Sequence, residues 1–166
     1  VLDLPYGKFR DKGIPIDNLS NYNSSEENIV YIINLGAIIG TKLLFGSKMA
    51  MLKLVDGSEF DVAKRTTAAT KLNDEDELLF VHAVNGEGTI VMQSKKDMFL
   101  RIEVNTIPEK KKGAVGVRGM KLAAQDSLEN IYLLEDETEQ TIEVKEKEVV
   151  LNRLRIGNRD TKGTKR

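Results

Sequence analysis

Apolar residues fall in short runs separated by polar turns, and one order of runs and turns recurs along the chain. Thr41-Lys-Leu-Leu-Phe-Gly-Ser-Lys-Met-Ala-Met-Leu-Lys53-Leu54 aligns with Thr89-Ile-Val-Met-Gln-Ser-Lys-Lys-Asp-Met-Phe-Leu-Arg101-Ile102 at a constant offset of 48. Thr141-Ile-Glu-Val-Lys-Glu-Lys-Glu-Val-Val-Leu-Asn-Arg153-Leu154 follows a further 52 residues on. Each copy predicts a strand, a polar turn (Gly46–Lys48, Ser94–Asp97, Lys145–Glu148) and a second strand, closing on a basic residue and then an aliphatic one.

The connecting half of the unit repeats as well. Lys12-Gly13-Ile-Pro-Ile-Asp-Asn-Leu19 matches Arg65 to Leu72, and Lys112-Gly113 through Lys121-Leu122 is a longer version. An acidic turn and an apolar run follow each: Glu26-Glu27 before Ile29–Ile33, Asp74–Glu77 before Leu78–Val81, Asp126–Glu129 before Ile131–Leu134. All three runs are predicted as strands. Asp56-Gly57 and Asn85-Gly86 supply turn chemistry. Ser24–Asn28 offers a capping box, but the strand-like run behind it makes it a turn.

A period of about fifty strand-rich residues predicts an all-β array of four-stranded blades of the propeller kind. The division expected is a partial blade over 1–36, blades over 37–85 and 86–136, and a partial blade over 137–166. The chain begins inside a unit and stops at Lys162-Gly163, the phase of Lys12-Gly13. It therefore reads as a segment of a longer array, a partial ring, because a lone blade cannot bury its faces.

Composition agrees. Val, Ile and Thr together number 36 against 9 Ala in 166 residues, and β-branched side chains favour a pleated surface. With 40% hydrophobic and 31% charged residues the chain is globular in character. It has no cysteine and one histidine, which excludes a disulfide framework, a thiolate nucleophile and a histidine-built metal site. No apolar stretch is long enough to cross a bilayer and the first residues do not resemble a signal peptide, so a cytoplasmic protein with no membrane partner is expected.

These repeats resemble the carboxy-terminal β-pinwheel of bacterial type IIA topoisomerase A subunits, those of DNA gyrase and topoisomerase IV. Lys12-Gly-Ile-Pro-Ile-Asp-Asn-Leu19 is similar to the family's R-G-x-P-I-x-N-L, and Ile107 to Leu122 is the nearest stretch. The resemblance implies a non-catalytic domain that binds, bends and wraps double-stranded DNA while the whole enzyme changes DNA topology at the expense of ATP. It implies as partners the ATPase B subunit together with the rest of the A subunit, in a nucleoid-associated location. ATP and magnesium would serve other parts of the enzyme, so this chain needs no cofactor. The family's DNA-cleaving tyrosine follows an arginine, as none of Tyr6, Tyr22, Tyr31 or Tyr132 does; no catalytic residue is expected here. The family's gyrase box, Q-R-R-G-G-K-G, survives only in part as Lys110-Lys111-Lys112-Gly113-Ala114-Val115-Gly116. That departure favours relaxation and decatenation over active supercoiling.

A net charge of −1 does not by itself advertise nucleic-acid binding, but the charge is unevenly spread. Residues 108–121 carry a balance of +4 and residues 153–166 one of +5, whereas 135–148 carry −5. Basic turns at equivalent positions of successive blades, Lys12, Arg65, Lys112 and Lys162, would line one rim and hold a bent duplex by its phosphates. The expected DNA-binding set is Lys110, Lys111, Lys112, Gly113, Gly116, Arg118 and Lys121, with Lys12, Lys64, Arg65, Arg159, Lys162, Lys165 and Arg166; the glycines would let backbone N–H groups approach phosphate. Lys53, Arg101 and Arg153 are expected to have half-buried stems and solvated heads. Asp74–Glu77 lacks the ligand spacing of a calcium loop and reads as a solvated turn. His82 reads as a strand residue, and Met49, Met51, Met92 and Met98 as core filler. The rival reading is a propeller-type protein-interaction domain that uses its acidic face or hairpin tips. An independent enzyme comes third, for want of a nucleophile, an acid–base pair or a metal cluster.

Overall fold

The computed structural model describes residues 5–64, 66–136 and 138–166. Arg65, one of the expected DNA-binding residues, lies outside them. All three predicted hairpins form: β1 (Lys42–Ser47) with β2 (Met51–Asp56), β4 (Thr89–Ser94) with β5 (Met98–Glu103), and β8 (Thr141–Val144) with β9 (Lys147–Val150). The return strands β3 (Leu78–Val84) and β7 (Leu128–Leu134) lie antiparallel to the first strand of the hairpin before them. Two very short strands, β6 (Val117–Arg118) and β10 (Thr164–Lys165), pair with the second strand of the hairpin one unit earlier. The result is two four-stranded sheets, ordered β3-β1-β2-β6 and β10-β5-β4-β7, and a two-stranded sheet of β8 and β9. Each four-stranded sheet is therefore completed from the following unit, which ties neighbours together through backbone hydrogen bonds.

Both faces of the first two sheets are covered, which explains why β1 reads Leu-Leu-Phe and not as an apolar/polar alternation. Leu44, Leu52 and Leu54 face the second sheet and pack with Ile90, Met92, Ile102, Met120 and Leu128 in one cluster. Leu43, Phe45 and Val55 point the other way and are covered by Ile38 and, in part, by Tyr31, Ile33 and Phe60. Beyond the second sheet, Val91, Phe99 and Leu134 meet Val144, Val149, Leu151 and Leu154 of the third unit. Burying each such side chain contributes roughly 1.5–3 kcal/mol, so stacking of units is what stabilises any one of them.

Several expectations are corrected. Ile29–Ile33 is not a strand. A return strand pairs with the hairpin that precedes it, and among the described residues none precedes Ile29. The segment joins no ladder, lays Tyr31 and Ile33 on the first sheet, and leaves Ile29, Val30 and Ile32 exposed. The Tyr31 hydroxyl accepts a 3.2 Å hydrogen bond from the Ala83 amide. A one-turn helix, α1 (Leu35–Ile38), follows, capped by the Asn34 side chain, which accepts from the Ala37 amide at 2.8 Å. The acidic turn Asp74–Glu77 is not merely solvated: Asp76 is buried and its carboxylate accepts from the amides of Met49 and Glu77, latching the hairpin tip to the return strand. Met49 stands exposed on that tip, whereas Met92 is fully buried. The third hairpin is tighter than its counterparts. Lys145 and Glu146 both take positive φ, at 49° and 64°, in a two-residue turn, and the residues after it, Leu151–Arg153, form a 3-10 turn.

Candidate nucleic-acid interface

The basic stretch 108–121 is an arch anchored on one strand. At its near end Leu54 donates its N–H to the Pro108 carbonyl at 3.1 Å, and Lys110 donates to the Leu54 carbonyl at 2.8 Å. At its far end β6 pairs with β2, Val117 opposite Leu52 and Arg118 opposite Met51. Between the two anchors the chain must leave β2 and return within a few residues. Gly116 makes the return possible, because a Cβ there would stand 2.6 Å from the Leu52 carbonyl oxygen. Its place in the sequence thus answers a close backbone approach. Gly113 is open, with nothing within 4 Å of a Cβ built on it.

The centre of the arch is filled by Lys53. This side chain is 2% exposed, and its ammonium donates to the carbonyls of Lys112 and Ala114, each at 2.7 Å, and of Lys111 at 3.4 Å. The Phe45 ring lies 5.5 Å from the same nitrogen. The expectation of a solvated head is therefore wrong for Lys53: three carbonyl dipoles replace water around a charge that could not otherwise be buried. Burial holds its pKa below the ordinary lysine value, Glu59 opposes that shift, and Lys110 adds to it. Arg101, one unit on, is half-buried and also turns inward, but it donates to the carbonyls of Asn152 and Leu154 in the turn after β9 and to the Thr89 hydroxyl, not to the segment that crosses β5. Arg153 breaks the series. The tighter third hairpin leaves it in a 3-10 turn, exposed and paired with Glu139 at 2.9 Å.

Glu59, on the 3-10 turn Gly57–Phe60 after β2, organises the outer side of the arch. Its carboxylate accepts from the Lys112 amide at 2.9 Å and lies 3.5 Å from the Lys111 ammonium. Lys112 turns its own ammonium inward, to the Glu59 carbonyl at 2.8 Å and the Thr67 hydroxyl at 3.4 Å, over the Phe60 ring at 5.9 Å. Lys111, by contrast, is 87% exposed. Adjacent lysines in one run thus have opposite roles, one clamped inward and one standing into solvent.

The structure joins the two basic stretches along one edge. Asp160 donates its N–H to the Gly119 carbonyl at 2.8 Å, Lys121 donates to the Thr161 carbonyl at 2.9 Å, and Met120 and Thr161 form a parallel bridge. Arg159 reaches back to the carbonyls of Thr106 and Arg118. Arg118, Lys121, Arg159 and Lys162 are thereby gathered beside the arch. Among the described residues, acids offset part of this charge, through Asp160 on Arg118 at 3.3 Å and Glu109 on Lys42 at 2.8 Å, while Lys110, Lys121 and Lys162 have no carboxylate partner. Lys165 and Arg166 sit elsewhere, at the hairpin tip of the second sheet, where the Arg166 amide donates to the Asp97 carbonyl. Lys64 is exposed in the connection whose Thr67 meets Lys112, and Lys12 is exposed on the amino-terminal segment. Glu59 was missed by sequence reasoning, since nothing in its local sequence points to a loop more than fifty residues away. The signal for Lys53 was present as a lone lysine between strand aliphatics, Leu52 and Leu54.

The family model described as DNA gyrase C-terminal domain, beta-propeller, matches residues 41–85 and 88–135. The DNA gyrase A subunit of Lawsonia intracellularis (strain PHE/MN1-00) is 27% identical over 138 residues, covering 82% of this chain and 17% of the relative. The chain thus spans less than a fifth of that protein's length. The crystal structure of the C-terminal domain of DNA topoisomerase IV superposes with a TM-score of 0.84 at 19% identity, over 97% of this chain and 52% of that one. The DNA gyrase A C-terminal domain superposes with a TM-score of 0.74 at 20% identity, over 94% of this chain and 53% of that one. At these identities the structural likeness speaks to the fold, an all-β propeller-like array.

Proposed function

Because the chain belongs to the DNA gyrase C-terminal domain, beta-propeller family, we propose that it is a non-catalytic module of a topoisomerase A subunit that holds double-stranded DNA on its basic edge and bends it. The observation that carries this reading is the joining of residues 108–121 to residues 158–162, which turns two separate basic stretches into one edge. Such an edge attracts phosphates without reading bases, and binding releases condensed counterions. In a propeller-like array the equivalent edges of successive blades are rotated relative to one another, so a duplex following them would curve. In this reading DNA cleavage belongs to the rest of the A subunit, while ATP hydrolysis belongs to the B subunit, both cytoplasmic partners at the nucleoid. The incomplete box at Lys110–Gly116 suits relaxation and decatenation better than active supercoiling.

The test is a fluorescence-anisotropy titration of the 166-residue chain with duplexes of unrelated sequence at several salt concentrations. Similar affinity for all sequences, falling log-linearly with salt by about 0.9 per neutralised phosphate, supports the reading. End-to-end energy transfer on a longer duplex then reports the bend. Failure to bind any duplex at low salt would overturn the assignment and favour a protein partner.

A further inference from the structure

A buried cation beneath a cationic loop is an electrostatic cost with no evident return, unless the loop's shape matters. Residues 111–114 cross the edge of β2 tied on the outer side to Glu59, whose carboxylate takes the Lys112 amide and whose carbonyl takes the Lys112 ammonium, while Ala114 donates to the Lys111 carbonyl at 3.0 Å. What fills the arch is the Lys53 ammonium, with three loop carbonyls turned onto it. Carbonyls drawn inward leave the Lys111 side chain to stand into solvent. Arg101 occupies the equivalent position in β5 and gathers two carbonyls of the third unit. Both cations capture carbonyls, but Arg101 takes those of the turn after β9, so only Lys53 holds the loop that crosses back over its own strand.

We propose that Lys53 is the positioning residue of the basic arch: its buried ammonium fixes the backbone of residues 111–114 so that Lys110 and Lys111 are presented to phosphate in a single arrangement. This rests on the duplex-binding reading above and names the residue that controls that site. A pre-ordered loop loses less conformational entropy on binding than a mobile one, so affinity follows loop order even though Lys53 never touches the ligand. The fixed charge also adds to the potential at the arch without any side chain having to be ordered on binding.

Two measurements on the 166-residue chain decide the matter. The first is limited trypsin digestion in the absence of DNA, which reads access to the peptide bonds after Lys110, Lys111 and Lys112. Lys53→Met should raise cleavage there at least tenfold while the circular-dichroism spectrum stays that of the wild type. Lys53→Arg, which keeps the cation, should restore protection. If Lys53→Met fails to fold, Lys53→Gln replaces it, being polar but one atom too short to reach the carbonyls. The second is a double-mutant cycle on the affinity for a duplex of arbitrary sequence. Lys110→Ala with Lys111→Ala should weaken binding several-fold in the wild-type background and by less than twofold beside Lys53→Met. An arch that stays protected in Lys53→Met and Lys53→Gln overturns the proposal and leaves the DNA-binding reading untouched. A loosened arch with additive effects on affinity overturns the link between Lys53 and binding. If the wild type binds no duplex while the arch still loosens in the variants, the DNA-binding reading fails and the functional half of the proposal fails with it.

Discussion

Neighbouring lysines of one run should behave as different kinds of residue, and the structure says which is which. Truncating Lys112 to alanine removes the 2.8 Å bond from its ammonium to the Glu59 carbonyl, the weaker contact with Thr67 and the approach to the Phe60 ring. One charge-assisted hydrogen bond at a half-buried site and a weak cation–π contact together contribute about 1–2 kcal/mol. For a domain of this size each kcal/mol corresponds to about 2–4 °C in the thermal midpoint. Lys112→Ala should therefore melt about 2–8 °C below the wild type, and its urea midpoint should fall without a change in m. Its salt slope for duplex binding should be unchanged, because an ammonium committed to Glu59 neutralises no phosphate. Lys111 is 87% exposed and only 3.5 Å from Glu59. Surface pairs of this kind contribute about 0–1 kcal/mol, so Lys111→Ala should melt close to the wild type. It should flatten the slope of log affinity against log salt by about 0.9, as expected when one phosphate is no longer neutralised. The reasoning is refuted if Lys112→Ala flattens the slope as much as Lys111→Ala does, or if the stability losses come out in the reverse order.

Gly116→Ala would place a methyl 2.6–2.9 Å from the carbonyl oxygen, carbonyl carbon and nitrogen of Leu52. Backbone cannot rotate away as a side chain can, so β6 should lift from β2, with a loss of about 1–3 kcal/mol in urea unfolding and rapid exchange of the Val117 amide; wild-type exchange would show that the close approach is not what the glycine serves. Leu52→Ala removes a side chain with no exposed surface from the cluster between the first two sheets. It should cost about 2–5 kcal/mol, and a loss below about 1 kcal/mol would mean that the sheets do not interlock there. Hydrogen bonds to Ser58 lower the Asp56 pKa from its ordinary 3.8, a bond from Ser24 lowers that of Asp17, and Lys48 lowers that of Glu77 from 4.5. Carboxylates with depressed folded pKa values contribute stability that is complete above about pH 4.5 and lost as the pH falls below about 3.8 through those lowered values. Urea midpoints followed downward from about pH 5 should show that decline, and Asp56→Asn should make it shallower; an identical profile would refute the contribution of Asp56.

The repeat was legible in the sequence because each hairpin is a local structure. The apolar spacing of 41–54 and 89–102 and the turn residues between their strands act over a dozen positions, and β1 with β2 and β4 with β5 form as that spacing predicts. The charge imbalance between residues 108–121 and 135–148 was equally legible, since charge needs no fold to be counted. Tertiary structure decided whatever depends on a partner distant in the chain. Ile29–Ile33 has the composition of a strand but not the neighbour, and a ladder takes two. Lys53 reads as an amphipathic strand residue until β6 returns across β2 and roofs it with carbonyls from residues 111–114. Lys110, Lys111 and Lys112 are indistinguishable as letters; only Glu59, brought alongside by the 3-10 turn after β2, makes Lys112 a clamp and leaves Lys111 exposed with a long surface pair. Which cations remain available to a polyanion is a matter of which carboxylates and carbonyls fold up against them, and those arrive from more than fifty residues away in the chain.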